Sequence, residues 1–232
     1  MQETLSHYFG YDTFRPGQEE IISKIIDHRN VLGVLPTGGG KSICYQVPGL
    51  MLGGTTIVIS PLISLMKDQV DQLKAMGINA AYINSSLTQK QQKEIEQDLI
   101  SGHIQFLYVA PERFENQYFL SQLRKVNIRL VAFDEAHCIS KWGHDFRPSY
   151  QNVIQKVFTL PQDFAIVALT ATATAEVQQD IMAKLNIDAN DEVKTSTKRR
   201  NLIFKVNPTY QRQKFVVDYV TEHNEEAGII YC

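Results

Sequence analysis

The residues best suited to chemistry begin with Leu35-Pro36-Thr37-Gly38-Gly39-Gly40-Lys41-Ser42, which follows a short apolar run and opens a helical pattern. Successive glycines let the backbone curl until its N–H groups face one point, and the start of the following helix favours an anion there. Thr37, Gly38, Gly39 and Gly40 would wrap nucleotide phosphates, Lys41 would reach the β- and γ-phosphates, and the Ser42 hydroxyl would ligate Mg2+. The strict form of such a loop starts with Gly where this chain has Leu35, so it needs support from elsewhere. That support is Asp134-Glu135-Ala136-His137, directly after the run Leu130-Val131-Ala132-Phe133. A parallel strand delivers such groups at its carboxyl end, the edge on which a phosphate loop lies. Asp134 would hold Mg2+ directly or through water, and Glu135 would orient and deprotonate an attacking water. His137 would either couple the site to a neighbouring domain or cap a turn. The implied chemistry is Mg2+-assisted hydrolysis of a nucleoside triphosphate, with Lys41, Asp134 and Glu135 as catalytic residues.

The elements that must position these groups follow from the apolar pattern. Short runs at Val31 to Leu35, Thr55 to Ser60, Gln105 to Ala110, Leu130 to Asp134 and Ala165 to Leu169 alternate with helical segments, the signature of a parallel α/β sheet. Ile21, Ile22, Ile25 and Ile26 share one helix face, as do Leu62, Leu65, Met66, Leu73 and Met76, and both faces are expected to cover the sheet. Thr88 and Gln91 stand at capping-box spacing ahead of a polar helix to Ile100, expected at the outer surface.

Composition sets the bounds. Hydrophobic residues at 44% and charged residues at 21% are ordinary for a globular chain with a substantial core. A net charge of −2 supplies no general basic field, so any nucleic-acid contact must come from local patches. No signal-peptide pattern opens the chain and no apolar stretch approaches about 18 residues, which predicts a cytoplasmic protein without a membrane partner. Cys44, Cys138 and Cys232 are odd in number and widely spaced, so they are expected to be reduced thiols rather than disulfide or zinc partners.

With Thr170-Ala171-Thr172 after the last of the predicted strands, the phosphate loop and acidic box resemble the motor core of superfamily 2 helicases. Three further segments are similar to the RecQ family of ATP-dependent DNA helicases. Phe9-Gly10-Tyr11 with Phe14-Arg15-Pro16-Gly17-Gln18 resembles its adenine-recognition motif, which implies that Gln18 reads the adenine edge, Tyr11 stacks on it and Arg15 assists. Cys138-Ile139-Ser140-Lys141-Trp142-Gly143-His144-Asp145-Phe146-Arg147-Pro148 resembles the family's aromatic-rich loop. There Trp142 and Phe146 would meet bases, Arg147 would meet a phosphate or carboxylate, and the loop, His144 included, would couple DNA to hydrolysis. Ser60-Pro61-Leu62-Ile63-Ser64-Leu65-Met66-Lys67-Asp68-Gln69 and Ala110-Pro111-Glu112-Arg113 resemble its single-strand contact motifs, with Ser60 and Lys67 gripping phosphates; Ser60 would also cap a helix. Thr170 and Thr172 belong to the same DNA-coupling set.

The resemblance implies a RecA-like P-loop domain with a mostly parallel central sheet flanked by helices, occupying residues 1–198. Residues 199–232 would hold a linker and the start of a second motor domain. Polar residues dominate after Leu185, Lys194, Lys198, Arg199 and Arg200 cluster there, a helix is expected near Gln213 to His223, and Gly228-Ile229-Ile230-Tyr231-Cys232 reads as the second domain's opening strand. The implied ligands are ATP and Mg2+, with no zinc in these residues. The implied partners are single-stranded and forked DNA and the chain's own second motor domain, with 3′ to 5′ movement. An RNA helicase would share the motor but is not expected to carry the Trp142 to Arg147 loop, and a module using ATP only as a switch would not need Lys41 and Glu135 intact.

Overall fold

The computed structural model describes the chain except for residues 144, 162, 197–201, 204, 209 and 231–232, and its described residues form two compact units, Met1–Thr197 and Lys198–Cys232. Within the first unit the strands are β1 (Val31–Val34), β2 (Thr55–Ile59), β3 (Ala80–Ile83), β4 (Phe106–Val109), β5 (Ile128–Phe133), β6 (Ala165–Thr170) and β7 (Glu192–Lys194). They make one sheet in the order β3-β4-β2-β5-β6-β1-β7, with every pairing parallel. The helices are α1 (Gln2–Phe9), α2 (Gln18–Ile26), α3 (Ile43–Leu52), α4 (Ile63–Ala75), α5 (Gln89–Ile100), α6 (Gln117–Leu123), α7 (Pro148–Val157) and α8 (Ala175–Leu185).

Alternation along the strands divides the core between two faces. In β5, Val131 and Phe133 join one apolar cluster with residues of α6, α7 and α8, while Leu130 and Ala132 join another with residues of α2, α3 and α4. Leu5, Ile22, Ile43 and Val47 form a third cluster that fastens α1 and α2 onto α3, the helix that follows the phosphate loop. All five strands predicted for the first unit are present. Two were not anticipated: β3, which contains two alanines, and β7, which lies inside the polar stretch taken for an interdomain connection. Asp191, directly before β7, is 4% exposed and held by Arg29 at 2.6 Å and Lys24 at 3.2 Å, while Val193 of the strand itself is buried in the apolar core.

Two expectations about faces need correction. On α4 the buried residues are Met66, Val70 and Leu73, whereas Leu65 is 50% and Met76 40% exposed. An i, i+4, i+7 stripe through Val70 is the face that meets the sheet, and the grouping built on Leu65 and Met76 straddled its borders. The polar α5 opens on the predicted capping box, with reciprocal Thr88 and Gln91 bonds. It is not wholly an outer-surface helix, because Glu96 is buried and paired with Arg113 at 2.7 Å.

The second unit contains α9 (Arg212–Glu222), close to the predicted helix, with Tyr219 stacked on His223 at 4.1 Å between ring centroids. Residues 227–230 are not in a strand, and Ile229 is 81% exposed. A parallel strand is made by its neighbours, and no described strand pairs with this segment. Tyr231, Cys232, Lys198, Arg199 and Arg200 lie outside the described residues. Among the described residues, no helix is long and apolar enough to cross a membrane.

Candidate active site and nucleic-acid interface

The chemistry-bearing segments leave the carboxyl ends of β1, β2, β5 and β6, four adjacent strands, so the sheet gathers them on one edge. Main-chain bonds continue the sheet into the loops: Leu35 N–H donates to Thr170 O at 3.0 Å and Asp134 N–H to Ile59 O at 2.9 Å. Gly38 and Gly40 take φ of 76° and 75°, the left-handed region that glycine enters without cost. The loop therefore curls back before Ser42 caps α3. The main-chain N–H groups of Gly38, Gly40, Lys41 and Ser42 make no hydrogen bond to any described residue. Thr37 is exposed on the outer turn of the same loop.

A cavity of about 320 Å³ lies beside this loop, and Lys41, Ser42, Ser60, Asp134 and Glu135 line it. Asp134 is half-buried; it accepts from Glu135 N–H at 3.0 Å, and Ser60 Oγ donates to it at 3.4 Å. Burial, with a smaller push from the neighbouring Glu135 charge, raises the Asp134 pKa to about 6 against the opposing effects of its hydrogen bonds and Lys41. A carboxylate this poorly compensated, beside a serine hydroxyl and four amides without acceptors, fits a hard cation bound with phosphate oxygens. Ser42 and Asp134 are the oxygen donors that would hold Mg2+. Glu135 sits at φ 47°, in the left-handed region that a non-glycine residue seldom adopts, as His28 and Asn186 also do. Its carboxylate faces Lys41 Nζ at 3.8 Å and His137 Nδ1 at 3.4 Å. His137 Nδ1 also lies 3.1 Å from Thr170 Oγ1, which accepts from Thr172 N–H at 3.3 Å. A connected path thus runs from the phosphate loop through the acidic box to the Thr170-Ala171-Thr172 segment.

A second cavity, about 210 Å³, is lined by Tyr11, Arg15, Gln18, Ser42 and Gln72 among others. Gln18 Oε1 accepts from Arg15 N–H at 2.8 Å, and its Nε2 donates to Gly40 O at 2.9 Å and Gly39 O at 3.2 Å. Arg15 also donates to Gly38 O. The residues assigned to adenine thus touch the phosphate loop itself. Tyr11 is 53% exposed at the cavity mouth.

The single-strand and loop residues divide by exposure. Lys67 is exposed on α4, and Trp142 is 68% exposed, with its N–H on Ser140 Oγ at 3.2 Å. Phe146 is half-buried. Arg147 donates to Pro61 O at 3.2 Å and pairs with Asp145 at 3.1 Å, a bond that pulls the Asp145 carboxyl below the usual range. His144 lies outside the described residues. Ser60 and Thr170 are 4% and 0% exposed and turn toward Asp134 and His137, so burial leaves them facing the hydrolytic side of the edge rather than solvent. Ser60 does not cap α4, whose N-cap is Leu62. Sequence reasoning missed Gln69 and Gln72, each lining one cavity; their i, i+3 spacing on α4 was the available signal.

Cys44 and Cys138 are free and buried, each pushed up to about 12 chiefly by burial, which makes them inert thiols. Among the described residues, His137, Cys138 and Asp145 bring one ligand atom each within 4.8 Å of one another.

A family model described as DEAD/DEAH box helicase matches residues 15–181. The chain is 51% identical over 231 residues to the ATP-dependent DNA helicase RecQ of Bacillus subtilis, covering 99% of this chain and 39% of that protein. It is 45% identical to the ATP-dependent DNA helicase RecQ of Haemophilus influenzae, covering 98% and 37%. Both relatives are thus much longer than the region they share with this chain. The fold is also similar to the Hef helicase domain of Pyrococcus furiosus (TM-score 0.62, 18% identity, 80% of this chain and 39% of that one). Mycobacterium smegmatis helicase Lhr, solved with ssDNA and AMP-PNP, gives a TM-score of 0.65 at 17% identity over 84% of this chain and 28% of that one.

Proposed function

Because this chain belongs to the DEAD/DEAH box helicase family and, within it, to the RecQ type, we propose that it is the first motor domain of a cytoplasmic 3′ to 5′ DNA helicase that couples ATP hydrolysis to strand translocation and unwinding in repair and recombination. The observation that carries this reading is convergence. The unpartnered amides of the glycine loop, Lys41, Ser42, Asp134 and Glu135 surround one cavity, and the loop that bears Trp142 is anchored through Arg147 to the end of a neighbouring strand.

In this reading Lys41 and the loop amides bind the triphosphate, while Tyr11, Arg15 and Gln18 hold the adenine. Bound Mg2+ supplies charge neutralisation on the phosphate oxygens. Glu135 orients the attacking water and takes its proton, with its carboxylate held between Lys41 and His137. Trp142, His144 and Phe146 stack on bases of a single strand, and Lys67 and Arg147 engage phosphates. Stacking one base on an aromatic contributes roughly 1–3 kcal/mol, close to the mean base-pair step of about 1.4 kcal/mol, so one captured base holds a melted pair open. Ser60, Thr170 and Thr172 serve as coupling residues behind the hydrolytic site.

Residues 1–198 constitute the first motor domain and residues 199–232 the linker and start of the second. A translocating motor closes two domains on nucleotide and reopens them, and an arginine from the second domain accelerates phosphoryl transfer by about 10³–10⁵. The 232-residue chain by itself is therefore expected to bind ATP weakly, hydrolyse it very slowly and leave forked DNA intact. The test is fork unwinding by a chain extended through the second motor domain, with the fork carrying a 3′ or a 5′ tail. Unwinding that requires the 3′ tail supports the assignment; unwinding from a 5′ tail alone overturns the polarity, and none from either overturns the motor.

A further inference from the structure

Tyr150 lies in the first turn of α7, immediately after the aromatic loop, and its side chain is fully buried. Its hydroxyl reaches two main-chain carbonyls at the site edge, Asp134 O at 3.1 Å and Ile59 O at 3.3 Å. These carbonyls end β5 and β2, the strands that lead into the acidic box and into Ser60-Pro61. A phenol has one proton to donate, and Ile59 O already accepts Asp134 N–H at 2.9 Å, so the hydroxyl serves Asp134 O or shares Ile59 O. The ring packs against Phe133 with centroids 6.4 Å apart, which fixes where the hydroxyl sits. On the other side, Tyr150 N–H donates to Arg147 O at 3.0 Å, and Arg147 N–H to Cys138 O at 3.1 Å.

We propose that Tyr150 is a positioning residue: its hydroxyl ties the aromatic loop to the main chain of Asp134, so that a shift at the nucleotide site moves the loop. The inference rests on the motor reading above and goes beyond it by naming the connection. The geometry supplies a short path, from the Asp134 main chain through one hydroxyl to the helix turn that anchors Arg147 and the loop. Chain continuity and Arg147 on Pro61 O already join the two, and the hydroxyl adds a single donor between two adjacent carbonyls, which gives the tie two discrete arrangements. Replacing Tyr150 by Phe keeps the ring and leaves only Asp134 O without this donor, so the fold is expected to survive.

Trp142, the chain's only tryptophan, is exposed in that loop and reports on it by fluorescence. The experiment titrates Mg2+ and a non-hydrolysable ATP analogue into this chain while following Trp142 emission, with binding measured in parallel by calorimetry and folding by melting temperature. Expected is a nucleotide-dependent emission change in the wild type. In Tyr150→Phe that change should fall by more than half, with affinity within about threefold of wild type. A full emission response in Tyr150→Phe overturns the proposal, as does a wild type that binds nucleotide without any emission change. So does a Tyr150→Phe chain that is folded but has lost nucleotide binding, since the residue then acts on binding rather than on the tie. Absence of binding by the wild type contradicts the motor reading instead.

Discussion

Asp134 combines burial with a raised pKa, and both effects have measurable consequences. Because its folded pKa of about 6 exceeds the 3.8 of a free side chain, its contribution to stability is complete below about 3.8 and is lost as pH rises through 6. Without Mg2+, Asp134→Asn is therefore expected to melt progressively higher relative to wild type between pH 4 and 7, by up to about 3 kcal/mol. With Mg2+ and nucleotide the order reverses, and wild-type affinity for the metal complex falls toward tenfold per unit below pH 6 as protons compete for the carboxylate. A pH-independent gap in melting would contradict the assigned environment. Glu135→Gln removes the proposed base while preserving its size; hydrolysis by the extended protein is expected to drop at least about 100-fold with nucleotide affinity nearly unchanged, as read by single-turnover kinetics. The sequence made both carboxylates legible because box and loop are contiguous motifs. It could not show that Ser60 turns toward Asp134 or that Gln18 bonds the phosphate loop, because those contacts join residues far apart in the chain.

Each element places its loop by a local device that can be removed. Gly143 sits where an added Cβ would lie 2.3 Å from His137 O, a main-chain atom that cannot step aside. Gly143→Ala is therefore expected to displace the aromatic loop, reducing DNA stimulation of the extended protein several-fold while leaving its DNA-independent turnover within about twofold. Equal loss of both activities would show that the substitution disturbs the acidic box rather than the loop. Thr88→Ala removes the α5 cap and should lower stability by about 1 kcal/mol in thermal melting, without change in nucleotide affinity. The capping box was readable because its two partners are neighbours in sequence. The faces of α4 were not, since Leu65 and Met76 carry the apolar character expected of core positions but stand at the borders of the stripe that Met66, Val70 and Leu73 define. β7 escaped notice because a three-residue strand with one apolar residue, Val193, between Glu192 and Lys194 leaves no apolar run to read.

At the scale of the molecule, four adjacent strands of one parallel sheet bring the site together, and the parallel strands themselves were readable from alternating apolar runs. The pairing order was not, because β1 lies between β6 and β7 only through long-range contacts. In the proposed function this sheet edge is one half of a DNA-stimulated motor completed by a second domain. The most direct test is steady-state ATP turnover with and without single-stranded DNA, for this chain and for one extended through the second motor domain. Near-background turnover is expected from the 232-residue chain under both conditions, and strong, DNA-accelerated turnover from the extended one. DNA-stimulated turnover by the short chain, or an extended chain indifferent to DNA, would contradict the proposed function.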